Sequence, residues 1–178
     1  MQHTYKYYEQ AFASLHTNTQ KGKPAPHKAF LLLAVIDLIE EGKIYCNQVD
    51  LTDDLEHRYN MLWKKLLGKS LLFSPDIYKP YFHMGHEPFW RLVPAEGVEL
   101  HGVVEPRYSK SWIRENYRYA VLDEDLFRLL QDATVRAQLR VILISNYLTN
   151  QPVEIPMSLA VNISSFVLIG QLLCALGA

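Results

Sequence analysis

The chain has 178 residues, 49% of them hydrophobic and 21% charged, which suits one globular domain with a substantial core. Its formal net charge of −1 excludes a uniformly basic, histone-like protein and leaves room for a local basic surface. The cysteines, Cys46 and Cys174, make neither a disulfide framework nor a paired-thiolate zinc motif, and the N-terminus carries no apolar signal segment, so a reducing cytoplasm is the expected compartment.

In chain order, Tyr8, Ala11, Phe12 and Leu15 predict a helix over Tyr5–His16. A second helix is expected from Pro26 to Glu41, with Pro26 at its first position and Gly42 as its stop. Phe30 through Ile39 are apolar around nearly the whole circumference, which marks this helix as the centre of the core. Weak alternation over Lys43–Val49 predicts a short strand. A third helix spans Thr52–Leu67, with Leu51, Leu55, Tyr59, Leu62, Trp63 and Leu66 inward and a basic face of His57, Met61, Lys64 and Lys65. Ser74–Gly97 reads as irregular apart from a strand at Phe89–Val93, which turns at Pro94–Gly97 and pairs back with Val98–Val104 as a hairpin. Ser109 caps a helix to about Tyr119, and Leu122–Leu148 holds one or two more. Met157–Ala178 is uncharged and approaches the length of a membrane span, but Asn162, Ser164, Ser165, Gly170 and Gln171 interrupt it and no basic cluster flanks it. A covered terminal helix is expected there. The expected fold is mainly α with a small antiparallel β-hairpin, a compact helical domain over residues 1–150 followed by an apolar helix or tail over 151–178.

The second helix opens against its own dipole. Acidic residues stabilise a helix N-terminus, as in Thr52–Glu56 and Leu122–Asp125, whereas this one begins with Lys21, Lys23, His27 and Lys28. That inversion suits an anion such as phosphate, or else a solvated basic loop. Two further basic segments recur: Arg58, Lys64, Lys65 and Lys69; and Arg107, Lys110, Arg114 and Arg118 interleaved with Tyr108, Trp112, Tyr117 and Tyr119. Basic residues mixed with rings and hydroxyls suit phosphate and sugar contacts. His83 and His86 beside Glu87 raise a metal site, without a third ligand at a recognisable spacing. No HEXXH, nucleophile elbow or Gly-rich phosphate loop is present. Core packing is expected for at least one of Phe89 and Trp90, and Pro88 with the nearby rings can also make a rigid apolar surface dimple.

The segment Gly22–Leu33 (GKPAPHKAFLLL), followed some sixty residues later by Pro88–Leu92 (PFWRL) and then by Ser109, Trp112 and Arg114 on a later helix, resembles the sulfur-binding domain of phosphorothioate-dependent type IV, McrA-like HNH restriction endonucleases. The resemblance covers Tyr5 to Leu148. It implies a bacterial restriction-system module that binds double-stranded DNA in which sulfur replaces a non-bridging phosphate oxygen. It further implies that His27 and Lys28, with Lys23, approach the modified phosphate, that Pro88 forms an apolar wall with His86 and Glu87 at the rim, and that Arg91, Arg107, Lys110 and Arg114 belong to the DNA-facing set. Sulfur accepts hydrogen bonds poorly, so an apolar wall covers it at little cost. The same wall strips a phosphate oxygen of water, costing on the order of 1–3 kcal/mol.

Two departures stand out. The family often has Tyr before this Pro, and here Glu87 stands there, where a carboxylate repels phosphate unless it turns elsewhere, for example to a cytosine amino group. No histidine follows His101, so the HNH site that usually accompanies the domain is not in this sequence, and the expectation is DNA binding without cleavage and without a cofactor. A C-terminal HNH nuclease domain in a longer parent and a homodimer are both open as partners. The alternatives are a metal-dependent hydrolase or nuclease using His83 and His86, and a winged-helix-like binder of unmodified DNA.

Overall fold

The computed structural model describes residues 3–68, 70, 72–98 and 108–149. Lys69, Arg107, most of the expected return strand Val98–Val104, and the apolar segment Met157–Ala178 lie outside these. The described residues form a mainly α, small α+β fold: α1 (Tyr5–Ala13), β1 (Thr19–Gln20), β2 (Lys23–Pro24), α2 (His27–Glu40), α3 (Asp53–Leu66), α4 (Tyr78–His83), β3 (Trp90–Pro94), α5 (Lys110–Asn116), β4 (Tyr117–Leu122), α6 (Glu124–Leu129) and α7 (Ala133–Tyr147). None of the described helices is long and apolar enough to cross a membrane.

The core is built around α2. Every residue from Lys28 to Ile39 is buried except Asp37, and the helix packs against α3, α4 and α7. Each of its large apolar side chains contributes about 1.5–3 kcal/mol by leaving water. The helix stops at Gly42, whose φ of +69° only glycine adopts without strain. There the Gly42 N–H donates to Ile39 O and the Lys43 N–H to Leu38 O, closing a Schellman motif. In α3, Thr52 Oγ1 accepts from the Leu55 N–H at 3.2 Å, Asp53, Asp54 and Glu56 occupy the first turn, and Leu55, Tyr59 and Trp63 are buried.

Three expected elements differ. Lys43–Val49 is not a strand; only Val49 bridges, to Ala120. Asn47 takes over the ladder, its side-chain amide donating to Leu122 O at 2.8 Å and accepting from the Leu122 N–H at 2.9 Å. The helix from Ser109 ends at Asn116 rather than Tyr119, because Tyr117–Leu122 is a half-buried strand of aromatic and aliphatic residues. That strand pairs antiparallel with β3, in the register Trp90↔Leu122 and Leu92↔Ala120, whereas the expected partner Val98–Val104 lies mostly outside the described residues. Within the segment expected to be irregular, α4 forms because Pro80 falls in its first turn and Asp76 Oδ1 accepts from the Tyr78 N–H at 3.0 Å. A single 3-10 turn, Met84–His86, extends it.

Candidate nucleic-acid interface

A cleft of about 790 Å³ opens between the start of α2, the β1–β2 hairpin, the loop Phe73–Asp76 and the α4–3-10 segment. Four histidines line it, His16, His27, His83 and His86, together with Lys28 and Lys79. Ala25, Phe73 and Pro80 supply apolar wall, and Thr17, Asn18, Thr19 and Gln20 supply polar wall.

The α2 start keeps the inversion seen in the sequence. It has no acidic residue in its first turn and no side-chain cap, and Pro26 precedes it in helical conformation. His27 is held by three neighbours. Its Nε2–H donates to Ser74 O at 3.0 Å, and its ring packs against Trp63 (centroids 5.0 Å apart) and edge-on to Phe73 (5.7 Å). Burial lowers its pKa, against an opposing pull from Ser74 O and Asp76 and with a smaller push from Lys79. His83 is lowered in the same way, first by burial and then by His86, Lys28 and Lys79. His27 and His83 are therefore neutral near pH 7.

Lys28 and Glu87, expected at the modified phosphate and at the rim, are paired with each other. Lys28 Nζ donates to Glu87 Oε1 at 2.5 Å, and the two side chains are 8% and 1% exposed. Glu87 Oε1 also accepts the His16 backbone N–H at 3.0 Å, and Oε2 lies 3.3 Å from His16 Nδ1. The carboxylate turns inward, so it neither repels a phosphate nor reaches a base. The physical reason is charge pairing: α2 is buried all round, so a lysine in its first turn needs an internal counter-ion. His16 is placed in turn by Tyr147, whose hydroxyl accepts the Leu15 N–H at 2.7 Å and donates to Phe12 O at 3.1 Å.

Pro88 is exposed and does not line the cleft; Phe73, Pro80 and Ala25 do. The chain turns Glu87 inward, and the next residue is left on the outside. His86 is exposed at the cleft, and Lys23 is half-buried on β2. Arg91 is exposed on β3. Lys110 is not a free cation, being tied to Asp53 and, at 2.8 Å, to Glu56. Arg58 in the second basic segment is likewise tied to Asp37 and Glu41. Arg114 is exposed, with one guanidinium nitrogen donating to Leu51 O at 3.0 Å. Among the described residues, acids of α2 and α3 and the Glu41 that caps α2 thus neutralise Arg58 of the second basic segment and Lys110 of the third.

His83 and His86 lie with ring centroids 5.6 Å apart, but the Glu87 carboxylate points away from them, and no group of three or more His, Cys, Asp or Glu among the described residues is placed to hold a metal ion. Sequence reasoning did not place His16, Phe73, Lys79 and Pro80 at the site. The run of small polar residues after His16, closing on Gly22, was the signal that a surface loop stood there.

No protein-family model matches the chain, and no curated protein matches it.

Proposed function

We propose that this chain is a DNA-recognition module that seats a phosphorothioate of double-stranded DNA in the cleft, and that it binds without cutting. One observation carries the reading. The Lys28–Glu87 pair ties the Gly22–Leu33 segment to the Glu87–Leu92 segment, and beside that tie lies a cleft lined by imidazoles, Phe73, Pro80 and Ala25, where Lys28 is internally paired and Lys79 is the loosely held cation.

Such walls suit a soft anion. An ordinary phosphate oxygen placed against Phe73, Pro80 and Ala25 gives up water without gaining a donor there, at a cost of about 1–3 kcal/mol. Sulfur gives up little. Roughly tenfold to hundredfold discrimination follows from that difference. Lys79, whose Nζ lies a loose 3.8 Å from Asp76 and is well exposed, supplies general attraction to either backbone, as do Lys21 and Lys23 of the hairpin.

The test is a gel shift with matched duplexes differing in one sulfur, at fixed salt. Tighter binding of the sulfur duplex is the expected result. Equal affinity for both overturns the sulfur claim.

A further inference from the structure

We propose that the β1–β2 hairpin is a base-reading finger, in which Asn18 and Gln20 select adenine in the major groove beside the seated phosphate. This rests on the DNA-binding reading above and adds a sequence preference to it.

The hairpin is built to project. Thr19 pairs with Pro24 and Gln20 with Lys23, and the Ala25 N–H donates to Asn18 O at 2.7 Å, which extends the ladder one step towards the body. Both residues of β1 are exposed, so neither face of the strand packs on the core. The two-residue turn takes positive φ at both positions, Lys21 at 51° and Gly22 at 76°. Hairpin turns of this kind favour Asn, Asp or Gly at both places. Lys21 is the sole non-glycine residue with positive φ among those described, and the turn carries its ammonium at the tip.

The dimensions fit. The three residue steps of extended chain from Asn18 to Lys21 span about 10 Å. The major groove is about 8.5 Å deep and admits a two-stranded ribbon.

The chemistry fits as well. Asn18, Thr19 and Gln20 line the same cleft as the histidines, and neither amide has a hydrogen-bond partner within the described residues. Asn18, whose carbonyl continues the ladder just before β1, and Gln20 are two residues apart, the spacing that places side chains on one face of extended chain. A phosphate oxygen needs only donors. An amide offers a donor and an acceptor side by side, the pattern that adenine N7 and N6–H complement.

The experiment is selection from a duplex pool carrying one phosphorothioate at a fixed position and randomised flanking bases, using wild type and N18A/Q20A. Wild type is expected to enrich adenine at one or two flanking positions by roughly tenfold or more. The double variant is expected to lose that enrichment while still shifting the unselected pool, because Lys79, Lys21 and Lys23 still attract the backbone. Both substitutions are at exposed positions, and a thermal melt checks that the fold is intact. Retained adenine preference in the variant, or no base preference in wild type, overturns the finger and leaves the sulfur reading standing. Wild type that binds no duplex at all overturns both.

Discussion

Lys28 and Glu87, on α2 and just before β3, form a buried ion pair that fixes the floor of the cleft, with Nζ 2.5 Å from Oε1. Removing one partner strands the other charge in a low-dielectric interior. Glu87→Ala is therefore expected to cost about 3–5 kcal/mol in chemical denaturation. Replacing both, as Lys28→Met with Glu87→Leu, is expected to recover most of that loss, because a well-packed apolar pair needs no desolvation of charge. Recovery stays incomplete, since the His16 N–H loses its acceptor. A Glu87→Ala variant as stable as wild type would contradict the pairing.

The cleft histidines set a pH dependence with a definite sign. Burial holds His27 below its ordinary value of 6.5, with Asp76 and Lys79 facing it; it holds His83 below as well, with His86, Lys28 and Lys79 facing that ring. The unfolded chain thus binds protons at a higher pH than the folded one. Stability is full above 6.5, falls as the pH drops through that value, and levels off below the folded values. DNA affinity runs the other way. A phosphate-like anion favours protonated imidazole, so binding tightens on acidification by up to about tenfold per pH unit for each proton taken up. Titrating binding between pH 8 and 6 checks this, and His27→Gln with His83→Gln is expected to flatten the profile.

Much of the fold could be read from periodicity, and the reasons for the misses are physical. The α2 helix announces itself through Pro26, the Gly42 stop and its apolar run, and α3 through its Thr52 cap, acidic first turn and apolar stripe. The strand Tyr117–Leu122 was hidden because its partner, Trp90–Pro94, lies far away in sequence, and helical spacing from Ser109 ran on into it. Asn47 replaces a strand with one side chain, which no periodicity reports. At the site, His27 and His86 do reach the cleft. Lys28 reaches it too, but its charge is visible in the sequence while its counter-ion 59 residues away is not. Its burial was nonetheless implied by the all-apolar helix that it opens.

Lys79 and Lys110 separate a binding cation from a structural one. Lys79 Nζ borders the cleft and lies 6.0 Å from the Tyr108 ring centroid, held only loosely by Asp76. Lys110 is already neutralised by Asp53 and Glu56. Lys79→Ala is expected to weaken binding to modified and plain DNA alike and to lower the slope of log affinity against log salt by about one. Lys110→Ala is expected to leave that slope unchanged. Equal slopes for both variants would remove Lys79 from the DNA-facing set.

Ala25 offers the mildest probe of how the wall tells sulfur from oxygen. It is half-buried in the cleft, and its backbone N–H is already committed to Asn18 O. Ala25→Ser adds one hydroxyl without removing volume or disturbing the hairpin. A hydroxyl restores a hydrogen bond to a phosphate oxygen and gains little from sulfur. The variant is expected to bind plain DNA more tightly, by roughly 1 kcal/mol for one hydrogen bond, with the sulfur duplex nearly unchanged. The sulfur preference should then narrow about fivefold in paired gel shifts. If both duplexes shift together, the hydroxyl lies away from the modified atom, and the apolar wall must be sought at Phe73 and Pro80 instead.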